Sequence, residues 1–477
     1  MKGAVAATLA LSVVLPMALA RAFPRQAMEA AGGERAPEAG LEAGMPALIF
    51  TAAPVYASLA TLHGRERFPR GAELMVLHAG QVEPLVTGFA ASADANVSFD
   101  GKTVLFAGKK NVGDPWQIWE MALEGSAPRL VYGGRTDAIR PLWMPEGRVV
   151  FAERGADGFG LVTAALDGGA PMRLSYLPGN LIPDDVLQDG RVLFESGFPL
   201  GAGATPEMYL VYPDGSGVES VRCDHANAVK SGGREHGRQM DVDSEAAGAG
   251  DIVFTQGRRL GRFTSALADE APIATPAGEF AGDVTELPDG RWLLAMRGPG
   301  QRHFALEAWK PGAGAAIVVA REAGRDLVEP AVVAPRTVPR TFPTALHPWK
   351  TGNLLALDAR LSRDGPLDGV PVTVRVETQG AGGRARVLGT APVMQDGSFF
   401  VKVPGDAALR FVLLDAAGRT LRQERGWFWM RSGEQRICVG CHTGPERAPD
   451  NRVPEVLNHS TTPVDLSGRS NATAGGQ

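Results

Sequence analysis

Cysteine is nearly absent: the 477-residue chain has three, Cys223, Cys438 and Cys441. That excludes a disulfide-built scaffold, and two cysteines separated by two residues would make a strained structural pair. A charge excess is lacking too, with 48 Lys and Arg against 53 Asp and Glu for a formal net charge of -5. No basic footprint is present, so no nucleic-acid partner is expected. Nor is there a stretch of eighteen consecutive apolar residues, so no membrane span is expected in the mature chain. Ser-His-Asp arrangements, paired catalytic carboxylates and phosphate-cradling glycine loops do not emerge. What is abundant is Gly (60) and Pro (35), beside only five Tyr. That balance fits many short strands joined by tight turns.

The N-terminus sets the expected compartment. Lys2 is followed by an apolar run from Ala4 to Leu15, interrupted at Pro16. Small residues then offer cleavage after Ala20 or Ala22, the pattern of a signal peptide over 1–22. An uncleaved anchor is the alternative, but the run is short for a membrane span. The chain is expected to be periplasmic or otherwise exported. Residues 23–45, rich in Ala, Gly and Glu, read as a flexible leader.

From Ala47 a unit of roughly forty residues recurs, the period of propeller blades. Its mark is a turn dipeptide followed by a β-run. Asp100-Gly101, Glu146-Gly147, Asp189-Gly190 and Asp289-Gly290 each precede an apolar stretch, with a weaker copy at Ala249-Gly250. Asp-Gly suits type I′ turns, in which both central residues take positive φ. A second strand, another turn and a short closing strand follow each run. A single sheet of this kind buries its faces only against neighbours, so the units must close into a ring. The expectation is an all-β chain with a six-bladed β-propeller over 46–322, or seven blades if downstream strands add one. The repeat resembles that of TolB-type propellers; serial hairpins in a β-sandwich are the alternative.

Pro330, Pro335, Pro339, Pro343 and Pro348 punctuate the next stretch, so a Pro-rich linker is expected over 323–346. Strand candidates resume at Leu354–Asp358, Val370–Val376, Gly397–Val403 and Leu409–Leu414. They predict a small antiparallel β-sandwich over 347–430. A short haem-binding segment (431–457) and a disordered tail (458–477) complete the expected order.

That segment rests on Cys438-Val439-Gly440-Cys441-His442. C-x-x-C-H is the spacing of c-type haem attachment: two thiols add to the haem vinyl groups, and the adjacent His442 takes the iron as proximal ligand. A zinc half-site would need a second pair of ligands, and no other C-x-x-C or H-x-x-x-H is present. A redox dithiol would need a thioredoxin-like βαβ unit. One haem c is therefore the expected cofactor. Near the motif, His347, Met430 and His459 are candidates for a sixth ligand. Met430 follows Trp427, Phe428 and Trp429 and reads as core.

A family resemblance accompanies the motif. Asp396-Gly397-Ser398-Phe399 through Pro404, then Leu409 to Arg419, then Trp427-Phe428-Trp429-Met430-Arg431-Ser432-Gly433-Glu434-Gln435-Arg436, running into Cys438–His442 and Arg447-Ala448-Pro449, resemble the hydrazine synthase alpha-subunit family. The resemblance implies a propeller joined to a C-terminal haem c region. It also implies that the motif histidine reaches a zinc shared with a propeller cysteine, for which Cys223 with His225 is the candidate pair here. The departures are plain: the alpha subunit resembles a two-haem protein, whereas this chain has one motif. The tyrosine that takes the haem iron in that family falls at Glu446. For Cys223 the functional reading is a metal or haem ligand with His225, aided by His236, and the bland reading is a packed free thiol beside solvated histidines.

Two functions follow as expectations. The first is an exported monohaem cytochrome performing electron transfer or haem-based redox chemistry with an unidentified redox or protein partner. The second is a propeller-based binding or assembly module with a structural or sensory haem.

Overall fold

The computed structural model describes residues 38–39, 45–197, 207–221, 234–265, 270–344, 346–362, 365–380, 384–424, 426–440 and 452–468. Short antiparallel strands dominate, as the alternation of turn dipeptides and β-runs requires. Six successive sheets each carry four strands of the repeat. Their first strands are β1 (Ala91–Val97), β2 (Ala138–Met144), β3 (Asn180–Val186), β4 (Glu235–Gln239), β5 (Glu279–Glu286) and β6 (Asp326–Val332). Each of these six packs against the next, and β6 and its sheet pack against β5 and β1, so the series closes into a ring.

The closure corrects the expected linker boundary. Residues 326–332 form β6, which pairs antiparallel with Leu48–Ala53 in one sheet with Glu73–His78 and Gln81–Pro84. Chain segments nearly 280 residues apart thus share a sheet, and no local pattern announces that pairing. The leader is corrected similarly, because Glu38–Ala39 pairs with the outer strand Ile317–Arg321 of the β5 sheet.

The expected turn geometry holds only at Glu146-Gly147, where both residues have positive φ. At Asp100-Gly101, Asp189-Gly190 and Asp289-Gly290 the glycine alone is left-handed. There the Asp carboxylate accepts the backbone N–H two residues on, from Lys102, Arg191 and Arg291. That bond holds the Asp in an ordinary conformation and leaves the left-handed position to glycine.

The proline-rich segment after β6 is laid across the turns. Arg336 N donates to Phe99 O (2.9 Å), Arg340 N to Gln188 O (3.0 Å) and Thr344 Oγ1 to Asp214 Oδ2 (3.2 Å). Proline's lack of a donor is harmless here, since the segment makes isolated contacts instead of a ladder. Gly190 lies beneath it with φ +88°, and a Cβ there would come within 2.2 Å of Arg340 O.

The C-terminal region is a two-sheet sandwich. One sheet contains β7 (Thr351–Ala356) and β10 (Phe399–Pro404); the other contains β8 (Thr373–Gln379), β9 (Ala385–Pro392), β11 (Ala407–Leu414), β12 (Thr420–Gln423) and β13 (Phe428–Met430). It is not wholly antiparallel. β14 (Gln435–Cys438) adds to β7 in parallel, and β15 (Val464–Asp465) adds to β10 in parallel. So part of the expected haem segment is an edge strand of the sandwich. Part of the expected disordered tail is likewise ordered, as α1 (Glu455–His459) and β15.

The sandwich shares a core with the propeller-like ring. Trp429, fully buried, packs on Phe194 and Tyr176 and donates from Nε1 to Gly215 O at 2.7 Å. The Arg431 guanidinium reaches Asp214 O, and Arg436 Nη1 donates to Val218 O at 3.3 Å. Buried Met430 belongs to the same core.

Candidate functional site

The parallel pairing with β7 fixes the start of the C-x-x-C-H motif. Cys438 ends β14 opposite Ala356, and its carbonyl accepts Leu357 N at 2.8 Å. Cys438 is half-buried, and burial of its thiol pushes the pKa up to about 11. The thiol borders an apolar recess of about 40 Å³ lined by Leu354, Ala356, Ala359, Phe399, Phe411 and Phe428, with Glu424, Arg436 and Gly440. Burial also drives the Glu424 carboxyl up to about 7, although it accepts Phe411 N at 2.9 Å. Cys441, His442, Cys223 and His225 lie outside the described residues. Val218, five residues before Cys223, is held by Arg436, two residues before Cys438.

A haem fits this edge in part. An aromatic-lined recess beside one thiol suits a vinyl edge, while Arg436 at its rim is already paired with Glu434 at 2.7 Å. The recess is far smaller than the roughly 300–1,000 Å³ of pockets that enclose a ligand. A macrocycle bound through Cys438 would therefore lie along the surface and not within the sandwich. Of the neighbouring candidates, Met430 is in the core, His347 stacks on Trp349 with ring centroids 4.0 Å apart, and His459 is exposed on α1 beside Glu455.

The ring carries a second constellation, of which the sequence alone singles out only His236, and there as a companion of Cys223 and His225. Each of the six inner strands has a break in register at a comparable position: near Asp94, Arg140, Asp184, His236, Gly282-Asp283 and Glu329. Such a bulge leaves one residue unpaired and re-aims its side chain. Asp94, Arg140, His236 and Glu329 have positive φ, between 52° and 61°, and Gly282 takes the same conformation. Non-glycine residues in that region each cost about 1–3 kcal/mol and cluster where function demands them.

These side chains meet inside the ring. The loop between Leu48–Ala53 and Glu73–His78 crosses it and inserts Tyr56, Ser58 and Arg67. The buried Arg67 guanidinium bridges Asp94 and Glu329. Arg140 Nη2 lies 3.1 Å from Asp283 and 3.6 Å from Asp184, and Arg140 N donates to Asp94 Oδ2 at 2.9 Å. His236 sits between Asp283 (Nδ1 to Oδ1, 3.3 Å) and the Tyr56 hydroxyl (Nε2, 3.1 Å), and Tyr56 OH donates onward to Glu329 at 3.4 Å. Ser58 donates to Glu235.

The electrostatics divide the acids into two groups. Burial would raise Asp283 and Asp94, but the guanidiniums of Arg140 for the first and Arg67 for the second outweigh it and hold both below the usual range. Burial dominates elsewhere: Asp184 is raised well above its ordinary value with Glu195 adding to the push, Glu195 and Glu329 are raised, and Glu235 is pushed up to about 7. For His236 burial works downward, yet the Asp283 carboxylate 3.3 Å away and the field of Glu195 prevail and raise it. A charged position five or six residues ahead of a turn was the available signal. Asp94 precedes Asp100, Arg140 precedes Glu146, Asp184 precedes Asp189 and Asp283 precedes Asp289.

Fold and site together define a β-propeller-like ring joined to a sandwich whose edge strand ends at Cys438, the first residue of the Cys-x-x-Cys-His motif. The model of the hydrazine synthase alpha subunit middle domain family matches residues 371–443. Among solved structures, hydrazine synthase from Kuenenia stuttgartiensis is similar at 18% identity with a TM-score of 0.73, covering 88% of this chain and 72% of that one. TolB from Acinetobacter baumannii is similar at 12% identity with a TM-score of 0.45, covering 61% of this chain and 69% of that one. No curated protein matches in sequence. The chain is thus similar to the hydrazine synthase alpha-subunit family in sequence over residues 371–443, and to a hydrazine synthase chain in fold over most of its length.

Proposed function

We propose that the chain is an exported, single-haem c-type cytochrome of the hydrazine synthase alpha-like kind. In this reading a six-bladed TolB-like propeller supports a haem-bearing sandwich that serves electron transfer or haem-based redox chemistry. The observation that carries it is the Cys438–His442 motif, whose first thiol ends an ordered edge strand within the family-matched segment. Cys438 and Cys441 would hold the haem covalently and His442 would ligate its iron. The bound group would supply a one-electron couple; the protein supplies an apolar edge from Phe399, Phe411 and Phe428. Neither Met430, in the core, nor His459, exposed on α1, stands out as a sixth ligand. That favours an iron with an open or weakly held position, and hence substrate chemistry over simple electron relay.

Cys223 and His225 complete the proposal as ligands of a zinc shared with the haem region. Zinc analysis of the haem-matured protein and its Cys223→Ser variant tests that part. Rapid carbon monoxide binding by the reduced protein is expected, and a low-spin spectrum indifferent to carbon monoxide would refute the open position. Among the described residues no helix is long and apolar enough to cross a membrane.

A further inference from the structure

We propose that Asp184, Glu195 and His236 form a binding site for a divalent transition-metal ion inside the ring, separate from the haem motif. One donor atom from each lies within 4.8 Å of the others, and all three residues are buried. A small contraction would bring such a set to the ~2.0–2.2 Å of carboxylate and imidazole ligation.

The three are held from outside as ligands usually are. Gly237 N donates to Asp184 Oδ2 at 3.2 Å, and His236 N donates to one oxygen of Glu195. Tyr56 holds His236 Nε2 at 3.1 Å, while Nδ1 is buried without a hydrogen bond, 3.3 Å from Asp283 Oδ1, and is the nitrogen left to ligate. A hydrogen bond on the distal nitrogen orients a ligating imidazole.

An independent observation points to a missing partner. Asp184 Oδ1 is fully buried without a hydrogen bond, and Arg140 at 3.6 Å is beyond reach of one. A buried carboxylate oxygen with no hydrogen bond is costly, and a directly coordinated ion would satisfy it where Arg140 at 3.6 Å does not. The neighbouring cations are otherwise engaged: Arg67 is taken by Asp94 and Glu329, and the nearest contact of Arg140 is Asp283. One imidazole with carboxylates suits Mn²⁺, Fe²⁺ or Zn²⁺ better than Ca²⁺ or Mg²⁺, which prefer all-oxygen sites.

The test uses the full, untagged, haem-matured chain and Mn²⁺, which thiolates bind poorly. Loss of the free Mn²⁺ electron paramagnetic resonance signal should saturate at one ion per chain, and Zn²⁺ should displace it. Glu195→Gln and Asp184→Asn should each weaken binding at least tenfold with an unchanged far-ultraviolet circular dichroism spectrum. Wild-type protein that takes up no Mn²⁺, or equal binding in both variants, would overturn the site. If both variants fail to fold, wild-type stoichiometry and a Mn²⁺-dependent rise in unfolding temperature decide, and absence of either counts against it. Because the readout ignores the haem, failure here leaves the cytochrome reading standing.

Discussion

Replacing Arg67 with Met should remove the cation that ties β1 to β6 inside the ring while keeping most of the side chain's bulk. Arg67 is 6% exposed and bridges Asp94 and Glu329, which are themselves buried. Breaking a buried pair by deleting one partner costs about 3–5 kcal/mol, because the other charge stays buried and uncompensated. The sign with pH follows from Asp94. Arg67 and Arg140 depress its pKa, so its contribution in the wild type is present at neutral pH and lost as pH falls through the folded value. In Arg67→Met the acid is orphaned and its pKa rises, and protonation then discharges it. The deficit should be largest at neutral pH and shrink as pH falls towards about 4, the ordinary Asp range. Urea unfolding followed by tryptophan fluorescence at several pH values measures this. Adding Asp94→Asn should restore part of the loss, because adjacent charged partners are not additive. A deficit below about 1 kcal/mol, the same at every pH, would refute the claim that the ring is an electrostatically closed unit.

Trp429→Ala removes a fully buried indole and its bond to Gly215 O, and should cost about 3–5 kcal/mol and separate the unfolding of sandwich and ring into two calorimetric transitions. Gly190→Val combines a left-handed φ with collision against Arg340 O, and should lower the unfolding temperature and expose the 334–344 segment to proteolysis. Glu424 has a folded pKa of about 7, above its unfolded value, so the folded state holds the extra proton between the two. Stability should fall as pH rises through that window, by up to ~1.4 kcal/mol per pH unit, and Glu424→Gln should flatten the dependence.

Much of this fold is legible in local sequence. The turn dipeptides ahead of Val104–Ala107, Val149–Ala152, Val192–Phe194 and Trp292–Ala295 mark the repeat, because strand and turn are local preferences. What escaped depends on distant partners. Asp326–Val332 looks like linker, with Pro330 inside it, until Leu48–Ala53 is placed beside it. Gln435–Cys438 and Val464–Asp465 become strands only through parallel pairing with β7 and β10. The charged ring was visible as single acids and bases in apolar strands. Their convergence requires six bulges and a crossing loop, which no periodicity records. The Cys438–His442 spacing is visible in the sequence outright, because the attachment chemistry proposed for it needs three residues at fixed spacing.

The most direct measurement of the central claim is haem retention through denaturation. The chain matured with cytochrome c assembly machinery is run on denaturing electrophoresis beside Cys438→Ser/Cys441→Ser and stained for haem peroxidase activity. The account predicts a haem-staining band at the full-length position, with one haem per chain by pyridine haemochrome, and no covalent haem in the double variant. A wild-type band without haem, or staining that survives the double replacement, would contradict it.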